Sequence, residues 1–366
     1  MISRRKFIQA SCLSAAATMA GLEQTMGSER QPVLNPLVSF KVQPTQAQRA
    51  WMELKYGMFI HFGPNTINGT GWGDGKFPSK DVVFPKLDIK QWAAVARDSG
   101  MKYAVLTTKH HDGFCLWPSE HTDYCIKQSP QGIDIVGEFV KAFTDAGVKP
   151  GFYYSTWDRN CPFYDDDKRY AEYMRKQVKE LLITYGNAVE WWFDGSWDKD
   201  HPTKSWEFNP LWEKDPTSGL LHGERYEWKA LYELIHSLQS DSIVLHNSSS
   251  DRPGGIRYMP CDARTAEQFD FIIREKLIEP LIDPIISKPE GKVFLPLEFE
   301  STLSPNWFWD KSDYHFHPSV ATIADWYIRA RTANANLLLN VGPNIDGLIP
   351  DYNIQFLKIV REKLGL

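Results

Sequence analysis

From about Trp51 onward, short runs rich in aromatic and β-branched residues alternate with stretches of helical period. This is the pattern of a repeated βα unit that builds a parallel sheet. Seven strands follow from it: Tyr56–Gly63, Tyr103–His111, Pro150–Thr156, Val189–Gly195, Ser242–Asn247, Lys292–Phe299 and Asn336–Pro343. Helical spacing governs the apolar positions in between, around Trp92, Val95 and Ala96, and over Lys168–Tyr185, Tyr226–Leu238 and Asp351–Leu364. An eighth strand is expected in the irregular stretch between Arg257 and Ser287. The pattern predicts an α/β fold, a (β/α)8 TIM-type barrel that occupies residues 46–366 as a single domain.

The C-terminal ends of these strands carry residues that packing alone does not call for: His61, then His110, His111 and Asp112, then Tyr153 and Tyr154, Asp194, and Glu298. In a barrel of this type that edge is where the loops assemble an active site. Incidental polar residues can end one strand. The same placement on five strands points to a site.

Composition narrows the chemistry. Apolar (42%) and charged (24%) contents are ordinary, but 14 Trp, 15 Tyr and 20 Phe make the chain rich in rings. Such rings fill cores, and their flat faces also stack on the C–H face of a sugar. A net charge of -5 without a basic stripe argues against nucleic acid as a partner. Beyond Ala20 no apolar run approaches the ~20 residues of a membrane helix, so no integral membrane segment is expected in the mature chain. Ser3-Arg4-Arg5-Lys6-Phe7-Ile8 followed by an Ala-rich stretch has the twin-arginine export pattern. Residues 1–25 are therefore expected to be a signal peptide and 26–45 a linker, with the mature protein periplasmic or extracellular. Cys115, Cys125, Cys161 and Cys261 make no disulfide framework, and without a CxxC pair no structural zinc is expected. No pattern fixes an oligomeric state.

The sharpest chemical signal is Trp191-Trp192-Phe193-Asp194-Gly195, a carboxylate at a strand end with a glycine that allows close approach. Sugar hydrolysis needs two carboxyl groups across the glycosidic bond, one to attack or direct water and one to protonate the leaving oxygen. A helix-capping aspartate would be the bland alternative. Lys109-His110-His111-Asp112-Gly113-Phe114 is the second signal. Neutral imidazole offers one donor and one acceptor to sugar hydroxyls, and successive strand residues face opposite ways, so one histidine can bind while the other is structural. No recognisable metal-ligand spacing accompanies the pair, and no metal or cofactor is expected.

The segments YGMFIHFG, KYAVLTTKHHDGFCLWPSEHTDY, GFYYSTWDRN, WWFDG and NLLLNVGPNIDGLIP resemble the α-L-fucosidases of glycoside hydrolase family 29, from about Trp51 to Pro350. The resemblance implies a barrel, a retaining mechanism and no metal. It also implies a β-sandwich after the barrel in many members, for which this chain is too short. By motif, Asp194 corresponds to the family's nucleophile. His61, His110 and His111 match histidines that bind fucose hydroxyls, Trp192 a site-lining tryptophan, Tyr153 or Tyr154 the tyrosine after the third strand, and Trp72 an aromatic against the sugar. The implied partner is a fucosylated oligosaccharide or glycan.

Two positions depart from the family. Gly71 stands where a glutamate usually precedes the tryptophan, which leaves open the same mechanism on an α-L-galactoside. The acid/base is the other. Glu298, in Leu297-Glu298-Phe299-Glu300 with Trp307 nine residues on, resembles the strand-end glutamate of the broad-specificity branch and is taken as the acid/base. Glu300, Asp262 and Glu267 are the competing carboxyls, and without any of them the chain would be a fucose-binding homologue that does not turn over.

Overall fold

The structure is a computed structural model and describes residues 42–195, 224–247, 253–256, 258–288, 291–315 and 317–366. The expected leader, most of the expected linker, residues 196–223 after the Asp194 strand, and Arg257 lie outside the described residues.

Ten strands and ten α-helices succeed one another among the described residues. The strands are β1 (Tyr56–Ile60), β2 (Tyr103–Lys109), β3 (Lys149–Ser155), β4 (Glu190–Asp194), β5 (Ile243–His246), β6 (Arg264–Glu267), β7 (Ile285–Lys288), β8 (Gly291–Phe294), β9 (Leu297–Thr302) and β10 (Asn336–Asn340). The helices are α1 (Gln46–Met52), α2 (Pro64–Asn68), α3 (Ile89–Asp98), α4 (Ile135–Asp145), α5 (Asp167–Thr184), α6 (Trp228–Leu238), α7 (Phe269–Arg274), α8 (Ile278–Leu281), α9 (Val320–Thr332) and α10 (Asp351–Leu364). Eight strands form one sheet in the order β5-β4-β3-β2-β1-β10-β9-β6, and every pairing in it is parallel. The result is a nearly closed (β/α)8 barrel. Between β5 and β6 the seam is held by Asp262, whose N–H donates to Val244 O (2.7 Å) and whose carboxylate accepts from Val244 N (2.9 Å).

Strand alternation sorts the interior. On β4, Trp191 and Phe193 pack outward under the helices, while Trp192 joins Phe59, Tyr103, Val105, Tyr153, Leu245 and Leu338 inside the barrel. The floor is plugged by α1. A capping box fixes that helix: Thr45 Oγ1 accepts from Gln48 N (3.1 Å) and Thr45 N donates to Gln48 Oε1 (2.9 Å). Its Trp51 then donates Nε1–H to Glu190 Oε2 (2.6 Å) at the start of β4.

The sequence expectation fails at Lys292–Phe299. Gly291–Phe294 pairs antiparallel with β7 as a two-stranded hairpin outside the barrel, and the barrel strand β9 begins only at Leu297. Pro296 has no N–H to give a ladder, so the run breaks there. Glu298 is thus the second residue of its barrel strand, not the last. It lies in the floor layer, in register with Asn336 and Thr265, and accepts a short hydrogen bond from the Tyr103 hydroxyl.

Burial pushes the Glu298 carboxyl well above the usual range, and burial together with Glu298 does the same to Glu190. A carboxyl raised in the folded state favours folding fully below its unfolded value of about 4.5, and that contribution is lost as pH rises through the folded value. Glu298→Gln keeps a neutral group at every pH. Its stability relative to the parent is expected to improve steadily from pH 4.5 upward, read as urea midpoints at pH 4.5, 6 and 8. A pH-independent difference would contradict this.

Candidate active site

All eight barrel strands deliver a polar side chain to the C-terminal rim. Asp194 ends β4 and is the centre of the network. Its Oδ2 accepts from the Tyr153 hydroxyl (2.9 Å) and lies 3.5 Å from His111 Nε2, while Oδ1 accepts from Gly195 N (2.7 Å) and Asn247 Nδ2 (3.3 Å). Gly195 is required there. It has φ 70°, and a Cβ would stand 2.7 Å from Trp157 Cβ. The bonds from Tyr153 and Asn247 tie Asp194 to the strands on either side of it.

Asn247, just past β5, joins Asp194 to a second carboxylate. Its Nδ2 donates to Glu267 Oε2 (2.7 Å) as well as to Asp194. Oxygens that share one nitrogen lie no more than about 6 Å apart, which suits the ~5–5.5 Å carboxyl separation of retaining enzymes. Glu267 ends β6. The structure does not bring Glu298 to this rim: it interacts with Glu190, four residues or about 13 Å of strand below Asp194. Asp262 belongs to the floor as well, where its carboxylate accepts from Tyr232 (2.8 Å) and pairs with His236 (2.9 Å). Glu300, the in-register partner of Glu267, is fully buried and accepts from Ala266 N (2.9 Å).

The histidines form a neutral wall whose tautomers follow from their partners. Asn340 donates its amide to Thr302 Oγ1 (3.1 Å) and Trp307 O (2.8 Å), so its Oδ1 accepts from His61 Nδ1 (2.8 Å). Ser155 donates its one proton to Trp157 O (2.7 Å), so its oxygen accepts from His111 Nδ1 (2.7 Å). Each neutral ring then has Nε2 as its acceptor. Burial lowers His61 to about 3 and His111 to about 4, in each case against the opposing pull of Asp194. His110 is also held well below the usual histidine range by burial, with His111 and His61 adding to it. Its Nδ1 is buried with no hydrogen-bond partner among the described residues. A buried donor or acceptor left this way costs about 1–3 kcal/mol until something pairs with it. The arrangement suits a ligand of many hydroxyls.

Of the two tyrosines the sequence leaves open, Tyr153 is the inward one. It stacks on His110 (5.4 Å between centroids, 9°) and on Trp192 (5.5 Å, 18°). Tyr154 faces outward and bonds Lys109 (3.0 Å) and Gln177 (2.6 Å). Trp192 is itself buried beneath the rim and supports Tyr153 from below. Trp72 is half exposed on the β1–β2 connection, edge-on to His111 (5.9 Å) and Trp157 (5.7 Å). A Cβ at Gly71 would meet nothing within 4 Å, so the departure from the family there leaves open space beside the tryptophan. Sequence reasoning passes over Asn247, Asn340, Ser155 and Trp157. Asn247 and Asn340 each close a strand-like run, and that polar ending is the signal that could have found them. Among the described residues no three His, Cys, Asp or Glu side chains are grouped to hold a metal ion.

A (β/α)8 barrel whose C-terminal rim holds two linked carboxylates, neutral histidines and exposed aromatics has the architecture of the barrel glycoside hydrolases. The family model described as Alpha-L-fucosidase matches residues 81–362. Alpha-L-fucosidase 1 of Arabidopsis thaliana is 33% identical over 327 residues, which is 87% of this chain and 60% of the relative. A solved glycoside hydrolase 29 family member from an unknown rumen bacterium superposes with a TM-score of 0.71 at 26% identity, covering 88% of this chain and 57% of that one. Alpha-L-fucosidase isoenzyme 1 from Paenibacillus thiaminolyticus superposes with a TM-score of 0.65 at 27% identity, covering 87% and 76%. The chain belongs to the α-L-fucosidase family, glycoside hydrolase family 29. It spans about three fifths of the length of the Arabidopsis relative and of the rumen bacterial chain.

Proposed function

We propose that the protein is an exo-acting α-L-fucosidase that removes terminal α-linked L-fucose from oligosaccharides or glycans by retaining double displacement. The observation that carries this reading is the single amide of Asn247 held between Asp194 and Glu267. Asp194 attacks the anomeric carbon and Glu267 protonates the departing oxygen. Glu267, now a carboxylate, then takes a proton from water as that water releases fucose from Asp194. Tyr153 and Gly195 N–H fix the attacking carboxylate, which limits its freedom to rotate away from the reacting carbon. His61, His110 and His111 receive the sugar hydroxyls, and Trp72 covers the sugar's apolar face. This assignment replaces Glu298 by Glu267 as acid/base.

The stereochemical test is direct. Proton NMR of an aryl α-L-fucoside digest should show α-L-fucose as the first product, before mutarotation. β-L-fucose appearing first would overturn the double displacement. The arginine pair at Arg4 and Arg5 and the Ala-rich stretch after it support export of the mature barrel, with 1–25 as its signal. Cell fractionation of an Arg4→Lys/Arg5→Lys variant should find it retained in the cytoplasm, and unchanged export would discard the idea.

A further inference from the structure

The loop that carries Trp72 is tied at two carbonyls to a single turn. Arg159 Nη1 donates to Gly73 O, and Asn160 Nδ2 donates to Gly75 O (2.7 Å). Both donors belong to Trp157-Asp158-Arg159-Asn160, which follows β3. We propose that Arg159 is a positioning residue for the reaction: it latches the Trp72 loop so that the indole stands over the bound sugar. The proposal rests on Trp72 as the cover of the sugar's apolar face.

The turn is itself fixed from the core, so it can hold something else. Asp158 Oδ2 pairs with Lys109 Nζ at 2.7 Å, and both side chains are buried. Asp158 Oδ1 accepts from Asn160 N (3.1 Å) and Cys161 N (2.9 Å), and Arg159 N donates to His111 O (3.0 Å). Pulling the turn away from the end of β2 would leave a buried charge unpaired, which is costly. The Trp72 loop is different in kind. Residues 69–78 form neither helix nor strand, and Trp72 is half exposed. An indole with so little of its surface buried keeps its place only as well as its backbone is held. At Gly75 (φ 76°) a Cβ would stand 2.6 Å from the Arg159 carbonyl carbon, so backbone meets backbone there. The Arg159 side chain then reaches on to Gly73, the residue next to Trp72.

The rings connect this latch to the sugar site. Trp72 is edge-on to Trp157 (5.7 Å) and to His111 (5.9 Å), and the Arg159 guanidinium lies 5.1 Å from the Trp157 ring centre. Trp157 O accepts the Ser155 hydroxyl whose oxygen sets the His111 tautomer. One turn thus orients a sugar-facing histidine through Trp157 and the sugar-facing indole through Arg159.

The test is a double-mutant cycle on p-nitrophenyl α-L-fucoside with Arg159→Met, Trp72→Ala and the double variant. Methionine keeps an apolar stem and removes the donors. An indole stacked on the sugar binds ground state and transition state alike. Each single variant should therefore raise KM about three- to tenfold, with kcat within about twofold of the parent. In the Trp72→Ala background, Arg159→Met should change KM by less than about 1.5-fold, because the group it places is gone. Arg159 is exposed, so its variant should melt within about 2 °C of the parent. Asn160→Ala, which frees only Gly75, gives a second reading and should follow the same pattern with a smaller rise. An unchanged KM in Arg159→Met beside a raised KM in Trp72→Ala would overturn the latch. So would an equal rise for Arg159→Met in both backgrounds, or a loss confined to kcat. An unchanged KM in Trp72→Ala would remove Trp72 from the sugar site and the latch with it, which is a distinct result.

Discussion

Asp194→Ala is expected to lower kcat/KM on an aryl α-L-fucoside by on the order of 10⁴-fold or more, because it removes the covalent step outright. No neighbour can take over. Tyr153 and Asn247 hold the carboxylate as hydrogen-bond donors, and Glu267 stands on the far side of Asn247. Stability should change little, since Asp194 is partly exposed and its alanine variant leaves no buried charge unpaired. Azide should restore part of the rate by entering the space the carboxylate leaves, and the product should then be β-L-fucosyl azide. Near-parental activity in the alanine variant would remove Asp194 from the mechanism.

Glu267→Gln is expected to separate substrates by their need for a proton. On fucosyllactose, where a sugar alkoxide must be protonated as it leaves, the loss should be about 10²–10⁴-fold. On a nitrophenyl fucoside, whose leaving group is stable as the anion, formation of the fucosyl-enzyme should be far less affected. Glu298→Gln should show no such split, because that side chain sits in the barrel floor against Tyr103 and Glu190. The contrast between the two variants decides between the strand-end motif seen in the sequence and the geometry of the fold. A selective loss with Glu298→Gln and none with Glu267→Gln would reverse the assignment.

Much of the barrel is legible before any coordinates, because parallel strands buried on both faces leave strong apolar runs and their rims leave polar endings. Six of the seven expected strands, from YGMFI to NLLLN, fall at barrel strands, and the eighth lies within the irregular stretch, as β6. The strand expected at Lys292–Phe299 is misplaced for one local reason. The run from Lys292 to Phe299 looks continuous, yet Pro296 divides a hairpin strand from a barrel strand, so the glutamate moves from the end of one strand to the beginning of another. Glu267 is hidden for the complementary reason. Its strand, Arg-Thr-Ala-Glu, is four residues long and carries no apolar run to announce it. Asn247 is visible as a polar strand ending, but its role depends on distances that span 20 residues to Glu267 and 53 to Asp194. Tertiary pairing of that kind has no local signature.

The decisive measurement is covalent trapping with a 2-deoxy-2-fluoro-α-L-fucosyl donor bearing a good leaving group, followed by proteolysis and mass mapping. A fluorofucosyl adduct on the aspartate of the peptide containing Trp191-Trp192-Phe193-Asp194-Gly195 is the expected result. An adduct on another side chain, or hydrolysis that never accumulates an adduct and yields inverted sugar, would contradict it.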